Sequence, residues 1–144
     1  MSVSPIPPGY HTVTPYLTVA DAAAQIAFCQ AAFGAEVTQK MEVPGQGVMH
    51  AELQIGSSRV MIGQARGEHT PMPSMLYLYL EDCDAAYAQA LAAGGKSIHA
   101  LEDQFYGDRS GAVEDPNGNQ WWVASHVEDV PPQEMERRMA EQGG

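Results

Sequence analysis

Polar and apolar residues alternate in short runs along this chain, and two stretches of helical spacing interrupt the alternation. In TPYLTV, Thr14, Tyr16 and Thr18 alternate with Pro15, Leu17 and Val19, the period of a half-buried strand. Asp21 then precedes a run in which Ala22, Ile26, Cys29 and Phe33 share one helical face, so Asp21 is the expected N-cap and Gly34 the stop. MHAELQIGSSRVMIG predicts a hairpin. His50, Glu52 and Gln54 take one face, Met49, Ala51, Leu53 and Ile55 the other, and a two-residue loop at Ser57-Ser58 sets Met61 opposite Gln54. MLYLYLE places Leu76, Leu78 and Leu80 against Met75, Tyr77 and Tyr79. Asp82 or Asp84 caps the next helix, with Tyr87 and Leu91 inward and Gly94 as its stop. AVEDPNGNQWWVASH reads strand, turn, strand: Pro116 presets the first central φ of the turn and Gly118 takes a positive one. Neighbours on a strand face opposite ways, so Trp121 enters the core and Trp122 looks elsewhere.

The pattern repeats. When the second half is slid back so that Leu78 meets Leu17, Leu80 meets Val19, Asp82 meets Asp21, LAAGGK meets QAAFGA, and Trp121 and Trp122 meet Val60 and Met61. Each half reads strand, helix, then strands. Module one covers about 12–65, RGEHTPMPS (66–74) is a linker, and module two covers about 75–127. Residues 1–9 form a proline-rich arm. The tail (130–142) is a short helix with prolines in its first turn and Arg137 and Arg138 late, as the helix dipole favours. The fold class is α+β: two βαβββ modules in a pseudo-two-fold repeat. Each strand has an aliphatic face for its helix, and a second face of Thr, Tyr, His, Glu, Gln, Met and Trp that lines a cleft between curved sheets.

Composition narrows the function. The 144 residues carry a formal charge of −11 with seven Lys and Arg. That disfavours nucleic acid, whose binding rests on cationic contacts to phosphate, and anionic membrane surfaces. With no secretory-signal pattern and no apolar run near ~18 residues, the expected location is the cytoplasm. Cys29 and Cys83 form no disulfide framework and read as buried thiols.

TPYLTVADA, AFGAEV, MHAELQIG, QFYGDRSGAVEDPNGNQWW and HVEDV together resemble the glyoxalase, bleomycin-resistance and extradiol-dioxygenase (vicinal-oxygen-chelate) superfamily, and within it the PhnB-like proteins, over about Thr12 to Asp129. The resemblance implies paired βαβββ units, small-molecule ligands and dimerisation. It also implies a divalent metal held by His and Glu from the first and last strand of each unit. Carried over, those positions fall on Thr14, Met61, Met75 and Trp122. A hydroxyl, two thioethers and an indole make a poor site for a hard divalent ion, so no cofactor is expected.

The remaining chemistry lies on the polar strand faces. His50 and Glu52, two apart on one strand, are the candidate catalytic pair, as acid and base or as displaced metal ligands. Tyr16, Gln54, Met61, Met75, Tyr77, Tyr79, Tyr106 and Trp122 are the candidate ligand-binding set. Arg109, at a presumed cleft rim, is placed to grip a carboxylate or phosphate, or else to pair with Asp108 or Glu114. Two readings follow. One is a metal-free homodimer that sequesters or senses a small aromatic or amphipathic molecule. The other is an enzyme of the same superfamily, of lyase, isomerase or dioxygenase type, working through His50 and Glu52.

Overall fold

The computed structural model describes residues 3–143; residues 1 and 2 of the expected arm, and residue 144, lie outside it. Module one runs β1 (Tyr16–Val19), α1 (Ala22–Phe33), β2 (Glu36–Val43), β3 (Gly47–Ile55) and β4 (Ser58–Gln64). Module two runs β5 (Met75–Tyr79), α2 (Cys83–Ala92), β6 (Lys96–Asp103), β7 (Asp108–Glu114) and β8 (Gln120–His126), and α3 (Pro132–Gln142) follows. The strands form two four-stranded sheets, ordered β1-β4-β3-β2 and β5-β8-β7-β6. The repeat is visible in the ladders: Tyr16 pairs in parallel with Met61, and Tyr77 with Trp122.

Caps and turns follow the local chemistry. The Asp21 side chain accepts from Ala24 N–H at 3.0 Å, and Asp82, rather than Asp84, accepts from Ala85 N–H at 3.0 Å. Gly34 ends α1 at φ 65°, a left-handed conformation that costs glycine little. The β3–β4 hairpin departs from expectation. Its loop is Gly56-Ser57, because Gly56 takes the positive φ (55°) that the tight turn needs, and Ile55 pairs with Ser58. Met61 therefore pairs with Glu52, and Gln54 with Arg59. The slip is two residues, so each side chain keeps its face.

Both helices share one core with both modules. Leu17, Ile26, Phe28, Leu53, Ile62, Ala90, Val113 and Trp121 belong to a single buried cluster. Trp121, 0% exposed, lies 5.0 Å from the Phe33 ring and 6.5 Å from Phe28, so an indole of module two packs on the helix of module one. On α2 the inward residues are Cys83, Ala86 and Ala90 with Tyr87 partly buried; Leu91, expected inward, is 37% exposed. Small residues serve there because α2 lies against both α1 and the sheet.

A buried polar knot joins the modules. Asp115 Oδ2 accepts from Trp121 Nε1 and Gln25 Nε2, both at 2.7 Å, and Oδ1 accepts from the backbone of Asn117 and Asn119. Asn117 and Asn119 donate in turn to Gln25 Oε1. The DPNGN turn is thus both a reversal of direction and a clasp on α1.

Candidate functional site

The polar faces of both sheets turn away from the shared core. Between the edge strands β1 and β5 lies a groove of about 640 Å³. Its floor is apolar: Leu17, Val60, Leu76, Leu78 and Trp121 line it. Tyr16, Met75, Tyr77 and Tyr79 line it from the strand edges. These four come from the expected ligand set. Trp122 does not line it, while Trp121 does, since the groove opens on the aliphatic side of β8.

The tyrosines of module two are held from behind by a carboxylate. Asp108, 2% exposed on β7, accepts from Tyr77 O–H at 2.7 Å and Tyr79 O–H at 2.9 Å on Oδ2, and from His126 Nδ1 at 2.9 Å on Oδ1. Burial alone would raise the Asp108 pKa. The hydrogen bonds from His126, Tyr77 and Tyr79 outweigh it and hold the carboxyl below its ordinary value. Asp108 raises the Tyr79 phenol above its usual range, while burial, Tyr106 and Asp108 raise Tyr77. His126 Nε2 donates to Asp129 at 2.7 Å, so both ring nitrogens face carboxylates and the imidazolium is favoured. The Tyr77 and Tyr79 rings stand 5.3 Å apart edge to face, and the two residues are 38% and 64% exposed. Tyr106 joins from the β6–β7 loop, its O–H 3.5 Å from that of Tyr77.

Trp122 sits on the outer face of the second sheet beside Tyr77, and the exposed ring of His99 stacks on it at 5.0 Å. Its Nε1–H, like Ser110 Oγ on the same face, is buried without a partner among the described residues.

On the first sheet, His50 Nε2 lies 3.1 Å from Glu52 Oε2 and its Nδ1 lies 3.4 Å from Tyr16 O–H. A carboxylate, an imidazole and a phenol therefore stand in line. His50 and Tyr16 line a second, smaller pocket of about 240 Å³ with Thr18, Met41, Gly63 and Arg66. Gly63 makes the line possible: a Cβ there would meet the Tyr16 phenol. Met61 and Glu52 share a row of this face, but neither lines either pocket. Gln54 is bound to Arg59 at the far end of the hairpin.

Arg109 lies apart from the other candidates. It is on β7 rather than in a loop, on the face opposite Asp108, and its guanidinium binds Asp84 at 2.8 Å and Asp103 at 3.4 Å. The acids expected as its partners, Asp108 and Glu114, point the other way. Thr14 precedes β1, whereas its repeat equivalent Met75 opens β5. Thr14, Met61, Met75 and Trp122 offer no imidazole or carboxylate, so the family's usual metal does not fit these residues. Among the described residues no three His, Cys, Asp or Glu are grouped to hold an ion.

Sequence reasoning missed Asp108 as the centre of a site. Its signal was present in the alternation: Asp108 and His126 share the cleft-facing parity of their strands. The long-range pairing of β7 with β8, which sets them side by side, was not readable locally.

The chain belongs to the glyoxalase/bleomycin resistance protein/dioxygenase superfamily, whose sequence model matches residues 10–123. An uncharacterized protein of Mycobacterium bovis is 35% identical over 142 residues, covering 91% of this chain and 93% of its own. Among solved structures, TioX from Micromonospora sp. ML1 superposes with a TM-score of 0.69 at 22% identity, covering 81% of this chain and 99% of its own. A glyoxalase-related enzyme from Fulvimarina pelagi gives 0.66 at 16% identity, over 85% of this chain and 93% of its own. These structural likenesses support the fold of two mixed sheets and three helices. No helix among the described residues is long and apolar enough to cross a membrane.

Proposed function

We propose that this protein binds a small aromatic or amphipathic molecule without a metal, and that the groove between β1 and β5 is where it binds. The observation that carries this is the lining: an apolar floor of Leu17, Val60, Leu76, Leu78 and Trp121, rimmed by Tyr16, Met75, Tyr77 and Tyr79 on the edge strands, in about 640 Å³. That size falls within the roughly 300–1,000 Å³ typical of small-molecule sites, and apolar walls with a few fixed polar groups are their usual make-up. Tyr77 and Tyr79, fixed by Asp108, stand at the groove's rim, where an aromatic contact is worth about 1 kcal/mol beyond buried area. The enzyme reading through His50 and Glu52 is weaker, because neither residue lines the groove.

Two features support a homodimer. Away from the groove, β2 and β6 are edge strands, and Val37, Met41 and Ile98 are 36%, 53% and 36% exposed along them. Exposed edges bearing large apolar side chains invite a second copy. The buried thiols of Cys29 and Cys83 suit a reducing cytoplasm.

The test is a calorimetric titration with planar bicyclic aromatics, quinoline and coumarin among them. Wild type should bind at least one, and Tyr77→Ala and Tyr79→Ala should each weaken it by about tenfold. Unchanged affinity in both variants would remove the groove from the account.

A further inference from the structure

The smaller pocket on the first sheet holds a basic side chain that has no carboxylate partner among the described residues. Lys40, Arg109, Arg137 and Arg138 each pair with a carboxylate, and Arg59 is held by Gln54 and the Tyr10 ring. Arg66, like Arg59 and the exposed Lys96, pairs with no carboxylate among the described residues, in a chain with eighteen acids, but it alone of the three lines this pocket. Among the described residues its guanidinium makes one hydrogen bond, a weak one, from Nη1 to the Met49 sulfur at 3.6 Å.

The surroundings of Arg66 are built rather than accidental. The Arg66 and His69 backbones close a two-way turn, each N–H bonding the other's carbonyl at 2.9 Å. The next stretch of linker is fastened to the sheet, Met72 N–H donating to Thr18 O at 3.0 Å. This turn carries Arg66 and His69 over a concavity of about 240 Å³ whose wall includes Thr18, His50, Gly63 and Tyr16. The carboxylate nearest in function, Glu52, is already engaged by His50 Nε2 at 3.1 Å and does not line the pocket.

We propose that this pocket is a binding site for a small carboxylate, held in the fork of Arg66. Two parallel N–H···O bonds from a guanidinium match a carboxylate in geometry and charge. Thr18, His50 and His69 supply polar wall around it. The overall charge of −11 does not veto an anion here. At about 0.15 M salt, charges more than ~8 Å away are largely screened, and the guanidinium governs the pocket. The site is independent of the groove, although Tyr16 forms a wall of both.

The experiment is an amide-resonance NMR titration with benzoate, and with benzamide as its uncharged equivalent. Benzoate should shift Thr18, Gly63 and His69 and saturate below about 10 mM, while benzamide should bind at least about tenfold more weakly. Arg66→Gln, at an exposed position, should fold normally and lose benzoate by about tenfold or more. Tyr77→Ala should bind benzoate as wild type does, which separates this site from the groove. Equal titration by benzoate and benzamide, unchanged affinity in Arg66→Gln, or no saturation in that range would each overturn the proposal.

Discussion

At the scale of single residues, Asp108 decides the most. One buried carboxylate fixes two phenols and an imidazole, and it does so because three donors compensate a desolvation that would otherwise neutralise it. The signs of the two shifts differ, and so do their pH windows. Asp108 has a lowered folded pKa, so its contribution is complete above the ordinary 3.8 and disappears as pH falls through the folded value. His126 has a raised one, so its contribution is complete below 6.5 and fades as pH climbs through the folded value. Imidazole NMR should therefore place the His126 midpoint above 6.5, and Asp108→Asn should bring it down. A midpoint at or below 6.5 in the wild type would break the Asp108–His126 link.

At the scale of elements, the Asp115 clasp ties the β7–β8 turn to α1 and so ties one module to the other. Asp115→Ala leaves the Trp121 N–H buried without its acceptor and the Gln25 amide with only the weak Cys29 sulfur contact. It should cost about 3 kcal/mol in chemical denaturation, close to the about 3–5 kcal/mol expected for Trp121→Ala itself. A loss under about 1 kcal/mol would mean that water replaces the carboxylate. Much of the element structure was legible in the sequence. Period-two runs gave β1, β3, β5 and β8, Asp21 announced the first helix, and Asp82 or Asp84 the second. The opposed faces of Trp121 and Trp122 followed from the pleat. What was not legible depended on partners remote in the chain. The hairpin loop shifted because Gly56 alone supplies the positive φ. Leu91 turned outward because α2 needed small residues against α1. Arg109 was misplaced because the acids that hold it, Asp84 and Asp103, sit on two other elements. The site expected as one cleft divides in two for the same reason. The alternation shows which face a residue takes, but the docking of two sheets around shared helices decides which faces meet.

At the scale of the whole molecule, two modules of one βαβββ plan carry different chemistry on equivalent positions. Tyr16 and Tyr77 are repeat partners, yet the first answers to His50 and Glu52 and the second to Asp108. Neither module carries the donors of a divalent metal site at the family's positions. Light scattering at micromolar concentration should return the mass of two chains, and the mass of one would leave the exposed edges without the copy proposed to cover them. Metal-free binding in the β1–β5 groove is read through Trp121, buried beneath the groove floor. In a Trp122→Phe background Trp121 is the sole tryptophan, and titration with the aromatic compound identified by calorimetry should change its emission saturably, with the same affinity before and after treatment with a chelator. Emission that stays unchanged while the compound binds, or binding that disappears with the chelator and returns with a divalent metal, would contradict the account.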